Sequence, residues 1–234
     1  MIYRLKIILF SVAVFTSPLQ PVFAIDWERV INKNDIQVYV RDFPNSEIKQ
    51  FRGEVSLSSS IDSVVALLSD QTSCINWLHQ CESGLEIERL TFGERYIYQV
   101  NGVHLFADTR DYIIHTKMYR EPDSGVITIE LQTAPDYCKD SIIIICTKIN
   151  QSNYIRVTRL TGSYKLIPLE EKGVKVLWTQ HIEPNGILPD FIVNSLLKKI
   201  PFESLKSMRE IVLVNPYNTA SLKFDDIGQV AGLQ

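Results

Sequence analysis

A chain of 234 residues, 45% hydrophobic and 22% charged, with a formal net charge of −3, suits one globular domain with short appendages. Its 24 Lys and Arg are scattered among 27 Asp and Glu, with no basic cluster interleaved with aromatics. That excludes a nucleic-acid face built on phosphate neutralisation, and strong electrostatic capture by an anionic surface.

Residues 1–24 read as a secretory signal. Arg4 and Lys6 form the basic start, residues 7–15 the apolar run, and Val22-Phe23-Ala24 a small-residue cleavage site. The apolar run is shorter than the roughly 20 residues that span a bilayer. The other reading is a buried N-terminal helix. No cysteine follows the cleavage site, so a lipid-anchored N-terminus is not expected. The expected organisation is a signal at 1–24, a domain at 25–214 and a tail at 215–234, exported to a periplasm or secreted.

Residues 27–31 suggest a short opening helix. Residues 36–42, IQVYVRD, alternate as a strand does, and 47–57 follow as its partner across the FPNS turn. The period then changes. Ser60 is placed to cap a helix whose apolar face carries Val64, Leu67 and Leu68, and a second short helix carries Trp77. Strands are predicted over 85–91, 95–101, 109–120, 126–133, 154–167 and 174–183, separated by TFGE, NGVH, EPDSG and EEKG turns. Such short connections make the strands an antiparallel meander. YCKDSIIIIC, at 137–146, reads as a hairpin insertion. Residues 189–214 form a long helix with Pro189 in its first turn. One stripe is Val193, Leu196, Leu197 and Ile200; a second is Phe202, Leu205, Met208 and Val212, with a kink expected at Pro201. The tail from Asn215 is expected to be only partly ordered.

Four cysteines in an exported chain point to disulfides. Of the three connectivities, Cys74–Cys81 with Cys138–Cys146 is preferred because each closes a short loop. Cys74, His79 and Cys81 lack the paired spacing of a structural zinc site, so no metal is expected.

The elements make an α+β plan: a curved antiparallel sheet with one long helix left to cover its concave face. One helix offers too few large side chains to fill that volume, so a cavity follows. The same order of elements carries particular residues: Trp27, Ile36 and Tyr39 in DWERVINKNDIQVYVRD; FRGEV at 51–55; Trp77 in CINWLHQC; Arg110-Asp111 in TRDYII; LTGSYKLIP at 160–168; and IEPNGILPDFIVNSL before the last helix. In this the chain resembles the START (StAR-related lipid-transfer) family, in its compact exported bacterial form, over about 27–214. Tyr164 departs from the tryptophan usual in the family's Gly-x-Trp-x-x-x-Pro stretch. Thr116 stands where some members place a second buried arginine.

The resemblance implies a helix-grip fold whose tunnel holds one lipid or other hydrophobic small molecule, gated by the C-terminal helix. It also implies transient membrane contact, a monomer and no cofactor. The expected cavity residues are Phe191, Leu196, Ile200 and Leu205 on the helix and Tyr98, Phe106, Ile114 and Trp178 on the sheet. Arg110 is the polar candidate, able to fork onto a phosphate or carboxylate. Arg110 and Asp111 alternate in a strand, so they face opposite sides. One of them is expected to be a structural pair-former, with Arg110 as a head-group contact the other option. Catalysis has little to rest on: the chain has no Gly-x-Ser-x-Gly elbow, no His-Glu-x-x-His and no phosphate loop. A cavity enzyme of the related cyclase or hydrolase-like folds, and a ligand-free periplasmic adaptor, are the alternatives.

Overall fold

Asn34 and Asp35 both take left-handed backbone (φ 54° and 57°), the geometry of a two-residue hairpin turn. This turn joins β1 (Glu28–Lys33) to β2 (Ile36–Phe43), so the expected opening helix is instead an edge strand. A computed structural model describes residues 26–102, 108–170, 173–186, 188 and 190–234. A second turn at Asn45 (φ 57°) leads into β3 (Ser46–Leu57). Helix α1 (Ile61–Ser69) starts where Ser60 Oγ accepts the Ser63 N–H at 3.1 Å, a cap worth about 1 kcal/mol. The short helix α2 (Cys74–Trp77) follows.

The meander comprises β4 (Cys81–Arg89), β5 (Glu94–Asn101), β6 (Arg110–Arg120), β7 (Ile127–Thr133), β9 (Arg159–Pro168) and β10 (Val174–Glu183). The two-residue β8 (Ile155–Arg156) runs parallel to the start of β6. Because β10 pairs with β3, the main path is β1-β2-β3-β10-β9-β7-β6-β5-β4, an open sheet. The long helix α4 (Asp190–Ile211) lies across its concave face and continues through Pro201. Pro189, expected in the first turn of that helix, lies outside the described residues. At the closest approach of α4 to the sheet stands Gly53. A Cβ there would lie 2.7 Å from Leu205 Cδ1 and 3.1 Å from Pro201 Cβ, so the FRGEV glycine is what lets the helix seat. Leu205, Met208 and Val212 are fully buried beneath it, each worth about 1.5–3 kcal/mol against exposure.

Two further segments differ from expectation. The 137–146 insertion is a loop and a short helix, α3 (Ile144–Asn150), closed by a Cys138–Cys146 disulfide and packed on the outer face of the sheet. The tail is folded: β11 (Leu222–Phe224) and β12 (Val230–Leu233) pair as a hairpin. Tyr217, Leu222 and Val230 are buried in the main core. Asp62 accepts the Leu222 N–H at 3.0 Å, and the Gln229 amide bonds both the N–H and the C=O of Arg120. These anchors are single residues far apart in sequence, which is why no periodic signal announces them.

Candidate functional site

The inner face of the sheet reads straight off strand alternation. On β6 it carries Arg110, Tyr112, Ile114, Thr116 and Met118; on β5 Arg95, Ile97, Gln99 and Asn101; on β10 Trp178, Gln180 and Ile182. With Val193, Leu196, Leu197 and Ile200 of α4 above them, these side chains line a cavity of about 130 Å³. Its middle is apolar and aromatic. Trp178 packs edge-on to Phe51 (ring centroids 4.9 Å apart) and stacks on Tyr164 (5.2 Å), which meets Trp77 at 6.5 Å. The Cys74–Cys81 disulfide closes the loop that brings Trp77 and Gln80 to the wall.

The two ends are polar, and each holds a buried arginine. Arg95 is cross-strand from Thr116 and Arg110 from Asn101, so their backbone positions lie about 20 Å apart along the strands. Arg95 donates to the Ser69 carbonyl (3.0 Å), Ser69 Oγ (3.1 Å) and the Phe92 carbonyl (3.0 Å), and meets the Glu86 carboxylate at 3.4 Å. Burial pulls its guanidinium below its ordinary value, against the pull of Glu86. Arg110, 1% exposed, donates to the backbone carbonyls of Pro184 (3.3 Å), Asn185 (3.1 Å) and Asp108. Among the described residues it makes no ion pair.

Asp111 does. On the opposite face, fully buried, it takes a two-pronged bond from Arg156 (2.7 and 2.9 Å) and accepts from Tyr98 (2.9 Å) and Ser152 (3.2 Å). Burial, and then the Asp111 acceptor, push the Tyr98 hydroxyl well above the usual phenol range. Burial does the same to Tyr112 and Tyr164 in the cavity wall. The Arg-Asp pair therefore divides its labour: Asp111 ties β8 and the insertion to the sheet, while Arg110 clamps the loop before α4.

Of the residues named from the sequence, Arg110, Ile114, Trp178, Leu196 and Ile200 line the cavity. Tyr98 does not: it is cross-strand from Ile113, so it shares the outer face with Asp111. Leu205 lies further along α4 and packs against Gly53. Phe106, and the side chain of Phe191, lie outside the described residues. Tyr112, Gln99, Asn101, Gln180 and Arg95 were not anticipated. The alternation that selects Ile114 also selects Tyr112, whereas an arginine opening a strand reads as a solvated residue.

The wall offers binding more readily than proton transfer. Its one carboxylate among the described residues, Asp70, already accepts from Tyr217 (2.8 Å) and Thr72 (2.7 Å). His115 pairs with Glu94 at 2.8 Å outside the cavity, and His181 is buried on the outer face against Phe43. No cluster of His, Cys, Asp or Glu among the described residues is placed to hold a metal ion.

Comparison with known proteins places this geometry. The model of the START domain matches residues 24–215. An uncharacterized protein of Pseudomonas aeruginosa is 24% identical over 184 residues, covering 79% of this chain and 85% of that one. The crystal structure of a STAR-related lipid transfer protein from Xanthomonas axonopodis superposes with a TM-score of 0.70 at 28% identity, over 80% of this chain and 99% of that one. Human StAR-related lipid transfer protein 5 gives 0.65 at 13% identity, over 80% and 86%, a likeness of fold alone.

Proposed function

The chain belongs to the START-domain family, and we propose that it is an exported carrier holding one hydrophobic ligand between its sheet and α4. The observation that carries this reading is the gradient along the cavity, apolar and aromatic in the middle and polar at both ends. An alkyl chain gains about 0.8 kcal/mol per buried CH₂, so such a wall binds without special chemistry. START relatives are carriers rather than catalysts, and the engaged oxygens of Asp70 support the same reading here. Export is supported by the signal-like residues 1–24 and by two disulfides.

A volume of about 130 Å³ is below the roughly 300–1,000 Å³ of ordinary small-molecule sites. A long-chain lipid therefore enters only if the cover moves. The hinge lies at Asn185 and Gly186, both left-handed (φ 50° and 69°), just before α4. Arg110 holds the carbonyls of 184 and 185 in the closed position, and the Asn185 amide bonds the Arg156 carbonyl at 2.9 Å. When this loop turns and releases Arg110, the N-terminal end of α4 lifts and the cavity opens at its Arg110 end.

Native mass spectrometry of gently purified protein, paired with displacement of a fluorescent fatty acid, tests the carrier. A co-purifying lipid is expected. Leu196→Trp, which fills the cavity beneath α4, should weaken fatty-acid binding at least tenfold with an unchanged circular-dichroism spectrum. Wild-type binding by that variant would place the ligand elsewhere.

A further inference from the structure

Four consecutive isoleucines, 142–145, close the insertion between β7 and β9. Ile143 and Ile145 turn inward onto Ile87, Val100 and Ile113 on the outer face of the sheet. Ile142 and Ile144 turn outward, 99% and 81% exposed. Scattered exposed isoleucines are ordinary; two on the tip of one disulfide-closed loop are not. The Cys138–Cys146 bridge, both sulfurs buried, pins the base of the tip, and Asn150 bonds the Cys138 carbonyl at 2.8 Å.

We propose that the disulfide-closed loop 138–146 is a membrane-docking finger that inserts Ile142 and Ile144 among the lipids of a bilayer surface. Three observations select a lipid surface over a protein partner. Two isoleucines fall far short of the roughly 1,000 Å² that a stable protein interface buries. The feature projects outward, and a bilayer accepts a protrusion without a matching pocket. Its exposed charged neighbours, Lys139 and Asp140, cancel, so attachment depends on apolar insertion and stays weak and reversible.

The finger is also wired to the hinge. The chain leaving α3 runs through Ser152, on Asp111, into β8, where the Arg156 carbonyl holds the Asn185 amide. Ile155 Cδ1 lies 2.8 Å from where a Cβ on Gly186 would stand, so the insertion packs directly on the hinge. A finger so placed brings the end of the cavity that opens to the membrane. This last step rests on the carrier reading; the docking itself does not.

The test is flotation of the disulfide-intact protein with phosphatidylcholine vesicles, comparing wild type with the double variant Ile142→Asp, Ile144→Asp. Both positions are solvent-facing, so the melting temperature should hold. The expected result is at least a tenfold fall in vesicle partition, about 1.4 kcal/mol, with fatty-acid binding in solution unchanged. Three results overturn the proposal: the variant floats like wild type, wild type does not float, or light scattering finds a dimer that the substitutions dissolve. Lost flotation from a protein that never bound fatty acid would leave the finger standing and remove the carrier.

Discussion

The two buried arginines at the ends of the cavity meet the same problem, a cation out of water, with different partners. Arg95 is held by a carboxylate, a hydroxyl and two carbonyls from α1 and the β4–β5 turn, all parts of the packed frame. Among the described residues Arg110 is held by carbonyls alone, two of them on the loop before α4. Partners on rigid elements make a permanent anchor. Partners on a loop make a latch, because the same carbonyls can turn to water when the loop moves. In the proposed carrier, the Arg95 end of the cavity would therefore stay shut and the Arg110 end would open.

The contrast predicts unequal variants. Arg95→Ala removes its contact with the partly exposed Glu86 and strands the Ser69 and Phe92 carbonyls, so it should cost about 3–5 kcal/mol in chemical denaturation, most of it from the two stranded acceptors. Ligand exchange in the protein that remains folded should keep its wild-type rate. Arg110→Ala should cost less, about 2–3 kcal/mol, because the freed hinge carbonyls can reach solvent. Exchange of a fluorescent fatty acid between protein and vesicles should, however, speed up at least tenfold. Equal stability losses with equal exchange rates would erase the distinction between the ends. If exchange is unchanged and only anionic lipids bind more weakly, Arg110 is a head-group contact and not a latch.

The frame was more legible in the sequence than the latch. The alternation of 110–118 correctly divides Arg110 from Asp111 and puts Ile114, Thr116 and Met118 on one face, because strand period depends on nothing but sequence order. Tyr98 was misplaced because the register between β5 and β6 depends on the connecting loop, and a shift of one residue inverts a face. Residues 27–31 read as a helix until Asn34-Asp35 is recognised as a hairpin turn. The partners of the Arg-Asp pair were out of reach. Arg156 lies 45 residues from Asp111, and the Pro184 carbonyl 74 from Arg110, with no periodic pattern linking them. Chemistry carried by backbone carbonyls leaves no side-chain signature at all.

A last and smaller effect sharpens the comparison by pH. His181 stands on β10 three residues before the hinge proline, fully buried and stacked on Phe43 at 3.7 Å. Burial lowers its pKa from the ordinary 6.5, more than Glu183, 3.4 Å away, raises it. The folded imidazole is thus neutral where the unfolded one has begun to charge. Above about pH 6.5 the two states bind the same protons and stability is full. As pH falls below that, the unfolded chain binds more protons, so stability drops until the folded pKa is passed. Melting curves from about pH 8 to about pH 5 should show this loss. Amide exchange should localise it to residues 43–46 and 181–186, the latch end, and leave the Ser69 and Phe92 contacts of Arg95 protected. His181→Phe keeps the stack on Phe43 and removes the titrating group, so it should flatten this part of the pH slope. A slope that persists in His181→Phe, or exchange that rises equally at both ends, would assign the acid sensitivity to other groups.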